Sequence, residues 1–198
     1  MPKQRPAARR SASQESSSKL VPVLIGVGIV ALLGFLAFLV FDATRPAESI
    51  EGLVRYAEAA GNQHVQGEIY EPGPLPPYGG PHDPIWQNCG VYEEEIRAEN
   101  AVHSLEHGAT WITYRDDLPA AEVAELQTLV ARENSVLLSP YPSQNSPVVL
   151  TTWAYQLEVG SAFDDRVVEF VERYTNDPLT TPEVGATCAG GVGEPLDR

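Results

Sequence analysis

The 198-residue chain carries 13 basic and 27 acidic side chains, a formal net charge of −14. Acidity of this size disfavours nucleic acid and anionic lipid as partners and attracts cations. After the apolar run described next, the remaining length suits one globular domain and is short for two.

Residues 1–19 are rich in Ser, Ala and Arg and read as a disordered basic tail. Leu20 to Phe41, LVPVLIGVGIVALLGFLAFLVF, contains no charged side chain. As a helix that run spans roughly 33 Å, enough for a bilayer core of about 30 Å. A cleaved secretory signal is the alternative, but its apolar core would be about 7 to 15 residues and would end on small residues. Phe35, Phe38 and Phe41 make the distal end bulky, which favours an uncleaved anchor. Before the run, Lys3, Arg5, Arg9, Arg10 and Lys19 face only Glu15, a net of +4, so residue 20 onward carries −18 and the whole chain −14. Positive flanks stay in the cytoplasm. The expectation is a single-pass cell-membrane protein, in contact with the bilayer through residues 20–41, with its N-terminus cytoplasmic and an extracytoplasmic C-terminal domain.

Ile50, Leu53, Val54 and Ala57 fall at helical spacing before Gly61, which predicts a stalk helix within residues 42–62. The globular domain is then expected over 63–198. HVQGEIY, 64–70, alternates as a first strand would. EPGPLPPYGGPHDP, 71–84, holds six prolines and three glycines, so no helix or central strand runs through it. A long irregular loop inside a small domain is uncommon unless functional or disordered, and the aromatics of IWQNCGVY just after it argue for an ordered one.

From residue 109 the pattern is regular. ATWITYR is a strand, AAEVAELQTLVAREN an amphipathic helix, SVLLS a strand, and VVLTTWAYQLEV one further strand. FDDRVVEFVERYTND is a last helix with Asp164 as its N-cap. The predicted fold is α+β, with a mixed or antiparallel sheet and two or three helices on one of its faces.

Every basic side chain after residue 41 is an arginine and the same stretch has no methionine. No lysine is present there for Schiff-base chemistry. Cys89 and Cys188 both lie on the outer side, where disulfides persist, so a bridge between them is the default, with free thiols or metal ligands as alternatives. It would close a loop of about 100 residues, stabilise by up to about 4.7 kcal/mol, and hold the C-terminal tail near the loop that carries His82. The C-x-x-C pair of a thiol oxidoreductase is absent.

All four histidines, His64, His82, His103 and His107, precede most of the regular core. Histidine is the commonest metal ligand among side chains. On a helical turn His103 and His107 project from one face; His82 from the Pro-rich loop supplies a third ligand, with His64 assisting and Glu106 or Asp83 in support. With no outer methionine, imidazole and carboxylate donors suit Cu(II) or Zn(II). The competing reading is a structural or protein-interaction module of the cell envelope without metal, in which Glu106 and the histidines lock the Pro-rich loop onto the strand at 109–115. HSLEH also matches the inverted zinc-peptidase pattern H-x-x-E-H, but Gly108 and the β-rich run after it cut the required helix short.

The ordered series of His64, PPYGGPH (76–82), Gly90 and Tyr92 of CGVY, VHSLEHG (102–108) and Tyr114 resembles a bacterial family known as domain of unknown function 3105, over roughly residues 60 to 180. The resemblance implies one N-terminal membrane anchor and an outer domain, and one shared site at His64, His82, His103, Glu106 and His107, without naming a ligand or an activity. Tyr78 and Gly79 stand where small hydroxylated residues are frequent in that family.

Overall fold

The computed structural model describes residues 17–43, 49–57 and 63–196, and in the first of these the side chains of 22–38. Residues 1–16 of the expected tail lie outside the described residues. The chain divides into two compact units, Met1–Glu48 and Ser49–Arg198.

The described residues of the first unit form the helix α1 (Ser17–Ala43). Its side chains over 22–38 are all exposed and uncharged. Among the described residues no helix is long and apolar enough to cross a membrane. The stretch 22–38 is shorter than the about 20 residues a bilayer core needs, and the expected span, 20–41, extends past it at both ends.

In the second unit the predicted stalk helix gives way, over 49–57, to a turn and a short strand, β1 (Val54–Arg55); 44–48 and 58–62 lie outside the described residues. Gly52, at φ +82°, turns the chain, Ile50 enters the core, and β1 pairs antiparallel with the last strand of the sheet. Helical spacing in so short a segment yielded to an available sheet edge. The second compact unit begins at Ser49.

The elements that follow are β2 (Gly90–Val91), α2 (Ala98–Glu106), β3 (Thr110–Tyr114), α3 (Ala120–Val130), β4 (Val136–Pro140), β5 (Val148–Thr152), β6 (Tyr155–Val159) and α4 (Asp165–Tyr174). The six strands form one sheet in the order β1-β6-β5-β3-β4-β2. β2, β4 and β3 run parallel, while β5, β6 and β1 are antiparallel to their neighbours. The mixed sheet of the predicted α+β fold is thus present. HVQGEIY makes no regular strand; only His64 forms a bridge, with His82. The backbone N–H groups of Ile69 and Tyr70 donate instead to Glu99 Oε1, which removes them from any ladder. VVLTTWAYQLEV is two strands, because Trp153 and Ala154 form a turn with Ala154 at φ +66°. Neither residue is a usual turn former, so composition carried no signal for that hairpin.

Alternation along the strands builds two cores. Ile112, Val136, Leu138, Val148, Leu150 and Leu157 point to one face and pack with Leu126 and Val130 of α3 and Val167, Phe170 and Val171 of α4. The N-cap Asp164 accepts from Arg166 N at 3.0 Å, as its position before the helix predicts. Trp111 and Leu137 point to the opposite face and pack with Val102 and Leu105 of α2. The helices therefore occupy both faces, contrary to the one-face expectation, since the strands nearest the centre are apolar on both sides. The Pro-rich loop lies over the α2 side, where Gln156 Nε2 donates to Pro76 O at 2.6 Å and Ala154 N to Tyr78 O at 2.8 Å.

Phe170 is fully buried in the first core. Phe170→Ala is expected to lower the unfolding free energy by about 3–5 kcal/mol, read from urea denaturation of the full-length protein; a loss under about 1 kcal/mol would contradict this packing.

Candidate metal centre

The nine residues of α2 end where Gly108 takes φ +97°. A Cβ at Gly108 would meet Asn176 at 2.8 Å and Thr181 at 2.9 Å, so glycine is needed both for the turn and for the close approach. The early stop expected from the sequence is what places Glu106 as the last helical residue and His107 as the C-cap.

His103 and Glu106, three apart on α2, face one side. There they meet His82 from the Pro-rich loop and His64, which is tied to it by two backbone bonds, Val65 N to His82 O at 2.8 Å and His82 N to Gln63 O at 3.0 Å. The three imidazole rings form a triangle, with centroids 4.8 Å (His64–His103), 4.8 Å (His82–His103) and 5.0 Å (His64–His82) apart. Their Nε2 atoms converge on Glu106 Oε2, at 3.0 Å from His82, 3.7 Å from His64 and 4.0 Å from His103. One donor atom from each of the four residues lies within 4.8 Å of all the others, so the group could hold a metal ion. Trp86 and Trp153 wall it, Trp86 against His103 at 5.7 Å and Trp153 against His82 at 5.9 Å.

Hydrogen bonding sets the tautomers of the two buried histidines. His82 Nδ1 lies 2.8 Å from Gly80 O and His103 Nδ1 lies 2.7 Å from Asp83 O. A carbonyl only accepts, so each Nδ1 carries the hydrogen and each neutral ring presents the lone pair of Nε2 to the centre. At 3.0 Å, His82 Nε2 and Glu106 Oε2 then require either a proton or a cation between them. Glu106 Oε1 is buried with no hydrogen-bond partner among the described residues. A ligating imidazole that donates its other N–H to a backbone carbonyl is the usual arrangement around a bound metal.

The expected site residues are only partly gathered. His64, His82 and His103 come together as ligand candidates. Glu106, expected in a supporting role, lies in the ligand group itself. His107 lies outside that group. Its ring packs 4.6 Å from that of His103, but its Nδ1 lies 2.7 Å from Thr187 O and its Nε2 3.7 Å from Glu183, so it fastens the C-terminal segment. The Asp83 carboxylate pairs with Arg97 at 3.2 Å, and only the backbone carbonyl of Asp83 supports the site. The pair that converges is thus i, i+3 and not i, i+4, which the motif HSLEH held without marking. An inverted zinc-peptidase needs both histidines on one ion and the glutamate beside a water; here Glu106 lies in the group that could hold an ion and His107 lies outside it.

Cys89 and Cys188 form the expected disulfide, with Cα atoms 5.4 Å apart. The tail it anchors bonds back to the loop, Val192 N to Trp86 O at 2.9 Å and Asn88 N to Val192 O at 2.8 Å. A Cβ at Gly191 would collide with the Trp86 carbonyl and indole, so the tail closes directly on the ring that walls the site.

The profile described as "Protein of unknown function (DUF3105)" matches residues 64–190, from the first site histidine to the tail beyond Cys188. The chain belongs to this family. Comparison with the curated proteins and with the solved structures finds no match. The family resemblance drawn from the motif series is thereby confirmed, and all four members of the ligand group fall inside the matched span.

Burial, reinforced by the neighbouring His107, His82 and His64, holds His103 down to about 4, against the opposing pull of its bond to Asp83 O. Between pH 6.5 and 4 the unfolded chain binds a proton at His103 that the folded chain refuses, so the unfolded state holds more protons and stability falls as pH falls through that window. Denaturant titrations of metal-stripped protein are expected to show this loss, and His103→Gln to flatten it; an unchanged slope in the variant would contradict the assignment.

Proposed function

We propose that this chain is a single-pass membrane protein whose extracytoplasmic domain binds one divalent metal ion, Zn(II) or Cu(II), through His64, His82, His103 and Glu106. The observation that carries the metal reading is the convergence of three imidazole nitrogens on one buried carboxylate, whose second oxygen has no hydrogen-bond partner among the described residues. The donor set is three nitrogens and one oxygen with no sulfur, since both cysteines are in the disulfide. That set suits Zn(II) or Cu(II) rather than Cu(I). Ligands of a tetrahedral zinc lie about 3.3 Å apart, so the widest gap must close by about 1.5 Å, within reach of side-chain rotation. The uncharged run 20–41, the exposed apolar side chains of α1 over 22–38 and the basic residues before it support the anchor and its orientation.

A second reading rests on the 3.0 Å distance between His82 and Glu106: a shared proton there would make the cluster a structural lock on the Pro-rich loop. The two separate cleanly. Metal titration of the full-length protein in detergent, followed by calorimetry and elemental analysis, is expected to give one ion per chain, with affinity lowered at least about 100-fold in His82→Ala and Glu106→Gln and the stoichiometry kept in His107→Ala. If the parent protein takes up no stoichiometric ion while the first two variants lose about 3–5 kcal/mol of stability, the lock is the correct account.

A further inference from the structure

The four ligand candidates are not equivalent. The side chains of His82, His103 and Glu106 are 0%, 5% and 1% exposed, whereas that of His64 is 46% exposed. The two buried imidazoles, and the backbone of Glu106, are also held by protein contacts that need no ion. His82 Nδ1 is fixed by Gly80 O and His103 Nδ1 by Asp83 O, and the Glu106 carbonyl accepts from Glu183 N at 3.0 Å. The helix beneath them is fastened to its surroundings along the same face. Glu99 accepts from Ile69 and Tyr70, Asn100 donates to Ile85 O, and Ser104 donates to Gln87 O. Two apolar cores and the Cys89–Cys188 bridge hold the rest of the domain through contacts that involve no ion. This contrasts with structural zinc sites, where the ligands assemble only as the ion binds.

His64 is the exposed member of the group. Its ring stacks on His103 with 22° between planes, and its backbone is tied to His82 alone of the ligands.

We propose that the centre is an exchange site: His82, His103 and Glu106 retain the divalent cation, and His64 is the ligand that closes on it and reopens, making the ion transferable cargo. The proposal rests on the metal reading above and deepens it. On capture, a hydrated ion sheds waters as the three buried donors and then His64 replace them, and the proton shared by His82 and Glu106 passes to solvent, to return when the ion leaves. On release, His64 is displaced by a nitrogen or oxygen donor of an incoming chelating acceptor, and the ion leaves with its charge and oxidation state unchanged.

The test uses the full-length protein in detergent micelles, loaded with Zn(II) or Cu(II) alone and mixed rapidly with excess EDTA. His64→Ala is expected to bind one ion per chain yet release it at least about 10-fold faster than the parent, whereas His82→Ala should fail to retain it. EDTA-stripped parent protein should keep its near-ultraviolet circular dichroism and a cooperative melt. Unchanged release from His64→Ala, complete loss of equilibrium binding in that variant, or unfolding of the stripped parent each overturns the exchange role. Absence of stoichiometric binding by the parent is a different result, seen in the titration before any rate is measured, and it overturns the metal reading itself.

Discussion

A carboxylate with 1% of its side chain exposed, surrounded by imidazoles, is the constraint on which this domain turns. Removing the Glu106 carboxylate from water is costly unless charge or hydrogen bonds are returned to it. No arginine is brought to it among the described residues; the groups that meet it are His82, His64 and His103. Two of those rings use their other nitrogen on backbone carbonyls, and so arrive as acceptors unless protonated. The centre is therefore completed by a positive species, whether shared proton or divalent ion.

The rest of the α2 side follows from holding those groups in place. A loop with six prolines lacks the N–H groups needed to make its own ladder. Its order comes from outside: side chains of α2 and of the sheet take up its backbone groups, and Tyr70 donates to Pro81 O at 2.7 Å beside His82. The tail is treated in the same way, with His107 bonded to Thr187 O and the disulfide one residue further on. α2 is thus a short helix whose polar face does the work of a scaffold, while its apolar face packs on Trp111 and Leu137.

The strands β3 and β4 and the helices α3 and α4 were legible because each carries a strong local period and a clear boundary, such as Asp164 before α4. The hairpin at Trp153 and Ala154 was not, because a positive φ at an alanine is imposed by the packing of the strands on either side. Nor was β1: its helical spacing was real, but a two-residue strand is stabilised by the edge of β6, which only the folded sheet supplies. The placement of helices on both faces was equally hidden, since an apolar strand does not say which side each helix will cover.

For the site, composition and order went a long way. Four histidines within one region, an even cysteine count after an apolar run, and the series PPYGGPH and VHSLEHG were enough to delimit the centre, pair Cys89 with Cys188 and point to the family. Which residues share an ion is a different kind of fact. His107 is as close to His103 in sequence as Glu106 nearly is, and local spacing favours it. The C-terminal segment, far along the chain, takes up its ring instead, and Glu106 is the fourth member of the group that could hold an ion. Residue types and local periods are written in the chain, whereas the direction a histidine faces depends on partners about 80 residues away, and those exist only once the fold has closed.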